Sequence, residues 1–152
     1  MLVLVDTNLM LRITEPAHVH HAVAAAAMKS LENLGHQAVI VPQVVYEFSA
    51  VATRPKDVNG LGLTPTETQA TLRSLLSMFD LLRDERRIYE HWHGLVAKYY
   101  VKGKQVHDAR LVAAMFRHGI THLLTFNASD FARYSEITVI DPNSVGELAP
   151  AE

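Results

Sequence analysis

Four acidic residues carry the chemistry that this sequence offers: Asp6, Glu47, Asp108 and Asp130. Asp6 ends the apolar run Met1–Val5 and is followed by two more oxygen-bearing side chains, Thr7 and Asn8. Glu47 sits in VVYEFSAV, Asp108 heads ARLVAAMF, and Asp130 stands beside Phe131. A carboxylate among apolar neighbours is costly unless it is paired or coordinates a cation. Gathered together, such acids repel one another and raise their own pKa values, and a divalent cation reverses that logic. Mg2+ and Mn2+ take oxygen ligands, keep several waters and need only a few carboxylates. Taken singly, each acid has a plainer role. Asp6 and Asp130 suit turns or caps, Asp108 suits the N-terminal end of a helix dipole, and Glu47 suits a helix surface. The metal-binding reading stands on the four together.

The elements that must position these acids follow from periodicity and punctuation. Leu2–Val5 reads as a short strand buried on both faces. Glu15-Pro16 breaks the next segment, and His18–Leu34 is an alanine-rich helix closed at Gly35. Ala38–Val41 is a second buried strand. Pro42 ends it and opens a helix through Val51. Arg54–Leu63 is an exposed loop. Thr64-Pro65-Thr66-Glu67 combines an N-cap, a first-turn proline and a capping box for a helix to about Met78. Phe79–Leu82 is a short strand, and Arg86–Tyr100 is a helix broken at Gly103. Val106–His118 is a further helix, His122–Thr125 a strand, and Phe126–Tyr134 a loop or single helical turn. Glu136–Ile140 is the last strand. Alternating strands and helices imply an α/β fold: a three-layer α/β/α sandwich on a mostly parallel, four- to five-stranded sheet. Residues 1–142 form one domain, and 143–152 form a tail expected to fray. In such sheets ligands collect beyond the carboxyl ends of the strands. Asp6 and Asp130 follow strands there, and Glu47 and Asp108 lie on helices near those ends.

Composition bounds the partners. The 152 residues are 49% hydrophobic and 20% charged, which suits one globular domain with a real core. No cysteine is present, so disulfides, thiolate zinc sites and cysteine nucleophiles are excluded. The start lacks a basic leader, and no apolar stretch approaches a membrane span, so a cytoplasmic protein is expected. The net charge of −2 argues mildly against nucleic acid but leaves room for a local basic strip. His18, His20, His21, His91 and His93 lack the i, i+4 spacing of helical zinc ligands. His107, next to Asp108, reads as a capping or packing residue. No glycine-rich turn follows the first strand, which disfavours a dinucleotide site. A haloacid dehalogenase-type phosphatase would want a second Asp where Asn8 stands.

VDTN at the start, QVVYEF at Gln43–Phe48, HDARLVAAM at His107–Met115 and LLTFNASDF at Leu123–Phe131 together resemble the PIN domain. More narrowly, they resemble the VapC toxins of VapBC toxin–antitoxin pairs. The match runs from Leu2 to about Pro142. It implies a Mg2+- or Mn2+-dependent endoribonuclease with one or two ions. Asp6 and Asp108 would be the main ligands, and Glu47 and Asp130 would complete the pocket. Asn8 would hold Asp6, while Thr125 and Asn127 would orient Asp130 or a bound water. Thr7 is expected to support the same pocket. The implied partners are RNA, a VapB-like antitoxin whose tail covers the acids, and a second copy of the chain. Arg12, Lys102, Lys104, Arg110 and Arg133 stand near the acid motifs and are the candidate cations for RNA. Trp92, Tyr99 and Tyr100 are expected in the core or a dimer contact. The alternatives are a PIN-fold RNA-processing nuclease and a non-catalytic module that holds metal or a partner's Arg.

Overall fold

A computed structural model describes residues 1–152. Five strands form one parallel sheet: β1 (Leu2–Val5), β2 (Gln37–Ile40), β3 (Asp80–Leu81), β4 (His122–Leu124) and β5 (Thr138–Ile140). Their spatial order is β3-β2-β1-β4-β5, and every neighbouring pair is parallel. Helices flank the sheet in the expected α/β/α arrangement. The short β3 is a genuine edge strand, with Val39 paired to Asp80 and Ile40 to Leu81.

Parallel pairing explains the composition of the central strands. Val3, Leu4, Val5, Val39, Ile40, Leu123 and Leu124 are all fully buried, because helices cover both faces of the sheet. The chain moves outward from β1 to β2 and β3, then returns to place β4 and β5 on the other side of β1. The order therefore reverses between β1 and β4, which is where a parallel sheet leaves a crevice at its carboxyl ends. In that pair Val5 lies opposite Leu124, so the next residues, Asp6 and Thr125, emerge side by side.

Six helices supply the remaining positions: α1 (Thr7–Ile13), α2 (His21–Asn33), α3 (Pro42–Ala52), α4 (Pro65–Leu76), α5 (Arg86–Tyr99) and α6 (Gln105–His118). The capping box on α4 forms as expected, with Thr64 and Glu67 each accepting the other's backbone N–H. Gly119 ends α6 in the left-handed region at φ 66°. α1 was not foreseen. It begins directly after Asp6, and its one turned face buries Thr7, Leu9, Met10 and Leu11. The alanines of α2 divide their duties: Ala24 and Ala27 are buried in the core, while Ala22, Ala25 and Ala26 face outward.

The expectation that the last ten residues fray does not hold. Pro142–Glu147 forms a 3-10 turn packed on α2, with Val145 buried. Beyond it, the Ala151 N–H donates to the Leu34 carbonyl at 2.7 Å, and His36 Nε2 donates to the Ala149 carbonyl at 2.9 Å. These partners lie more than a hundred residues away in sequence, so no local pattern announces them. Deleting residues 143–152 uncovers the surface under Val145. It should cost about 2–3 kcal/mol, a fall in Tm of roughly 4–12 °C. A thermal melt unchanged by the deletion would show that the docking adds nothing.

Candidate functional site

Asp6 is placed by two elements at once. Its N–H continues the sheet ladder to the Leu124 carbonyl at 3.0 Å, and its residue caps α1. The carboxylate accepts three hydrogen bonds. Oδ1 accepts from the Thr7 N–H at 2.7 Å, and Oδ2 accepts from Thr125 Oγ1 at 2.7 Å and Asn8 Nδ2 at 3.1 Å. Thr125 is fully buried, and its hydroxyl is saturated. It donates to Asp6 and accepts from Asn8 Nδ2 at 2.9 Å and the Asn127 N–H at 3.0 Å. One donor and two acceptor positions are all a hydroxyl has. Its proton is thereby committed to Asp6. Asn8 is fixed in turn, because its Oδ1 accepts the Phe126 N–H at 3.2 Å.

Glu47 comes from the second turn of α3 and is held by both oxygens. Thr7 Oγ1 donates to Oε2 at 2.8 Å, and Gln43 Nε2 donates to Oε1 at 2.8 Å. Gln43 was not singled out from the sequence. It is buried, and its Nε2 also donates to the His107 carbonyl at 2.7 Å, joining α3 to the first turn of α6. Arg110 completes the chain, donating to Gln43 Oε1 at 3.1 Å and to Asp84 Oδ1 at 3.1 Å. The available signal was spacing: Gln43 stands four residues before Glu47 on one helix face.

Asp108 lies in the first turn of α6, half-buried, and Asp130 lies in the 3-10 turn Ala128–Phe131. Neither carboxylate has a hydrogen-bonding partner within the chain. Asp130 departs from expectation in being exposed. Its neighbour Phe131 turns inward and is fully buried, which turns Asp130 outward. The four acids sit within one electrostatic field. Burial pushes the Asp6 carboxyl up to about 6, against the hydrogen bonds from Thr125 and Thr7, and the Glu47 and Asp130 charges add to the rise. Asp108 is also pushed up to about 6, first by burial and then by Asp130, Asp6 and Glu47.

Other expected residues divide clearly. Asn127 contributes its backbone N–H to Thr125, while its side chain is exposed. Arg12 pairs with Glu15 at 2.6 Å, and Arg133 donates to Gln105 at 2.8 Å. Lys102 and Lys104 are exposed and unpaired just before α6. The His107 ring is exposed and makes no cap; only its carbonyl is used, by Gln43. Trp92 packs with its Nε1 donating to the Val106 carbonyl, and Tyr99 donates to Glu136, whereas Tyr100 is 83% exposed and lies outside the core.

The donor set suits a hard divalent cation: four carboxylates from four elements, with no nitrogen or sulfur ligand among them. No three acidic or histidine side chains are drawn together as a ready cage. Asp108 and Asp130 are the two acids without a side-chain hydrogen bond, whereas Asp6 and Glu47 are tied.

The raised carboxyl of Asp6 links stability to pH. The folded chain holds a proton up to about pH 6 that the unfolded chain releases near 3.8. Stability from this group is therefore complete below about pH 4 and is lost as pH rises through about 6, on the order of 2–3 kcal/mol. In chelating buffer, the urea midpoint of the wild type should fall between pH 5 and pH 8. Asp6→Asn should flatten that slope. Parallel slopes for the two proteins would remove Asp6 as its source.

The PIN domain sequence profile matches residues 3–137. No curated protein matches the chain. Among solved structures, VapBC2 from Rickettsia felis bound to a DNA fragment from their promoter is similar in fold. It is 14% identical with a TM-score of 0.72, covering 93% of this chain and 98% of that one. A toxin–antitoxin complex from Klebsiella pneumoniae is 23% identical with a TM-score of 0.64, covering 92% and 97%. VapC20 from Mycobacterium tuberculosis, a sarcin-ricin loop cleaving toxin, is 16% identical with a TM-score of 0.65, covering 87% and 95%. These likenesses are of fold, and they agree with the profile match over the same span. From four acids at the switch point of a five-stranded parallel sheet and a profile spanning nearly the whole chain, it follows that this protein belongs to the PIN domain family.

Proposed function

We propose that this chain is a Mg2+- or Mn2+-dependent endoribonuclease acting as the toxin of a toxin–antitoxin pair. The observation that carries the reading is the meeting of Asp6, Glu47, Asp108 and Asp130 in one field at the sheet's carboxyl edge, in a PIN-family fold. Solved proteins of the same fold include VapBC complexes and a sarcin-ricin loop cleaving toxin.

In this reading Asp6 and Asp108 hold the cation, and Glu47 and Asp130 complete the pocket directly or through water. When bound, the cation supplies a water acidic enough to attack near neutral pH and stabilises charge on the leaving oxygen. The chain's own residues do the positioning. Thr125, Asn8 and the Thr7 N–H keep Asp6 in one orientation. Thr7 and Gln43 restrain Glu47, and Arg110 restrains Gln43. Such supporting hydrogen bonds set both the geometry and the basicity of a ligand. Lys102 and Lys104, exposed and unpaired, take RNA phosphates, with Arg12, Arg110 and Arg133 committed first to internal partners. A cognate VapB-like antitoxin would neutralise the pocket by placing a cation over the acids. The working form is a homodimer in the cytoplasm.

Purified wild type should cleave RNA only with Mg2+ or Mn2+ added, and Asp6→Asn and Asp108→Asn should abolish cleavage. Equal cleavage by all three proteins would sink the catalytic assignment. Gln43→Ala should lower the rate by roughly 10–100-fold while the fold persists by circular dichroism. Because ligands must be deprotonated to bind metal, the metal concentration needed for half-maximal cleavage should fall as pH rises through about 6, where the metal-free Asp6 and Asp108 carboxyls ionise. Induced alone in a bacterial host, the chain should arrest growth. Harmless expression of cleaving protein would favour an RNA-processing role instead.

A further inference from the structure

The loop of residues 82–85, between β3 and α5, is braced along one face of α6. His118 Nε2 donates to the Arg83 carbonyl at 3.0 Å, Arg117 pairs with Glu85, and Arg110 Nη2 donates to Asp84 Oδ1 at 3.1 Å. Positions 110, 117 and 118 recur at helical spacing, so the three contacts line up along the helix. His118 and Arg117 stand at the C-terminal end of α6, away from Asp108 in its first turn. Arg110 differs from them, because the same guanidinium also donates from Nη1 to Gln43 Oε1 at 3.1 Å.

Gln43 is where that brace meets the acids. It is 7% exposed, and the two ends of its amide face partners of opposite kind. Nε2 donates to Glu47 Oε1 at 2.8 Å and to the His107 carbonyl at 2.7 Å, both acceptors. Oε1 accepts from a guanidinium, which can only donate. Without Arg110 a buried oxygen has no donor, a costly state. The amide then turns toward water and leaves Glu47 to Thr7 alone. Arginine suits this duty because its planar fork fixes the second arm once the first is held, and Asp84 holds the first. A lysine carries the same charge without the fork.

We propose that Asp84 and Arg110 are positioning residues for Glu47, acting through Gln43. This rests on the nuclease reading and gives Arg110 a duty other than phosphate binding, although it stands two residues from Asp108. The relay Asp84–Arg110–Gln43–Glu47 ties a loop at the β3 edge of the sheet to the acidic pocket. It fixes the oxygen that Glu47 presents and leaves RNA affinity to other cations.

The test reads Mn2+ binding from the EPR signal of the free ion, RNA binding from the anisotropy of a fluorescein-labelled oligoribonucleotide in chelating buffer, and cleavage at a fixed Mn2+ level. Arg110→Met, Arg110→Lys and Asp84→Asn should each raise the Mn2+ Kd about tenfold and lower kcat in step, the low end for hydrogen-bond partners of metal ligands. Kd and KM for RNA should stay nearly unchanged. Asp84→Asn is a near-isosteric change at an exposed site, so it decides the matter if Arg110→Met fails to fold. In Gln43→Ala, the further change Arg110→Met should add nothing, because the link it acts through is gone. Glu85→Gln, in the same loop, should at most lower Tm and leave Mn2+ binding and kcat at the wild-type level. Normal Mn2+ binding by Arg110→Met with weakened RNA binding, restored in Arg110→Lys, overturns the proposal and makes Arg110 a phosphate contact. Losses that add to those of Gln43→Ala, or an equal loss in Glu85→Gln, also overturn it. Wild type that binds Mn2+ but cleaves no RNA sinks the nuclease reading, and the relay then stands or falls on the Mn2+ shifts. Wild type that does neither overturns both.

Discussion

The hydroxyl of Thr125 is the contact on which the site depends. It is fully buried, has one proton, and gives that proton to Asp6 while accepting from Asn8 and the Asn127 backbone. No rotation improves that arrangement, since a hydroxyl has no further capacity. The contact exists because β1 and β4 pair in parallel with Val5 opposite Leu124. A shift of one residue in that register would turn Asp6 and Thr125 to opposite faces of the sheet. The apolar strands thus do more than fill the core. They set the position of a carboxylate by burying everything before it.

From that fixed point the structure builds outward by hydrogen bonds and then by repulsion. Thr7 links Asp6 to Glu47, Gln43 links Glu47 to the first turn of α6, and Arg110 links Gln43 to Asp84. Asp108 and Asp130 have no such ties and face the same field. Burial dominates the rise in Asp6 and Asp108, and like charge adds to it. A site arranged this way is costly when its acids are ionised and alone. A cation that relieves the cost gains binding free energy from the same strain. Through these two carboxyls the stability of the fold is coupled to pH.

Much of this was legible in order along the chain. The buried strands, the capping box at Thr64–Glu67, the stop at Gly119 and the four acids could be read locally, because propensity, caps and apolar runs act over a few residues. The sheet class followed from alternation alone. The α1 helix was hidden because Asp6 serves as strand end and helix cap together, and no punctuation separates the two. Gln43 was hidden because its partners include the His107 carbonyl, a backbone atom with no sequence signature. The docked tail was hidden because its contacts, Ala151 to Leu34 and Ala149 to His36, span the length of the chain. Sequence by itself determined which residues could hold a cation and which segments could carry them. Tertiary structure alone decided which oxygens are tied and which are free, because hydrogen-bond partners are chosen by proximity in space and not along the chain.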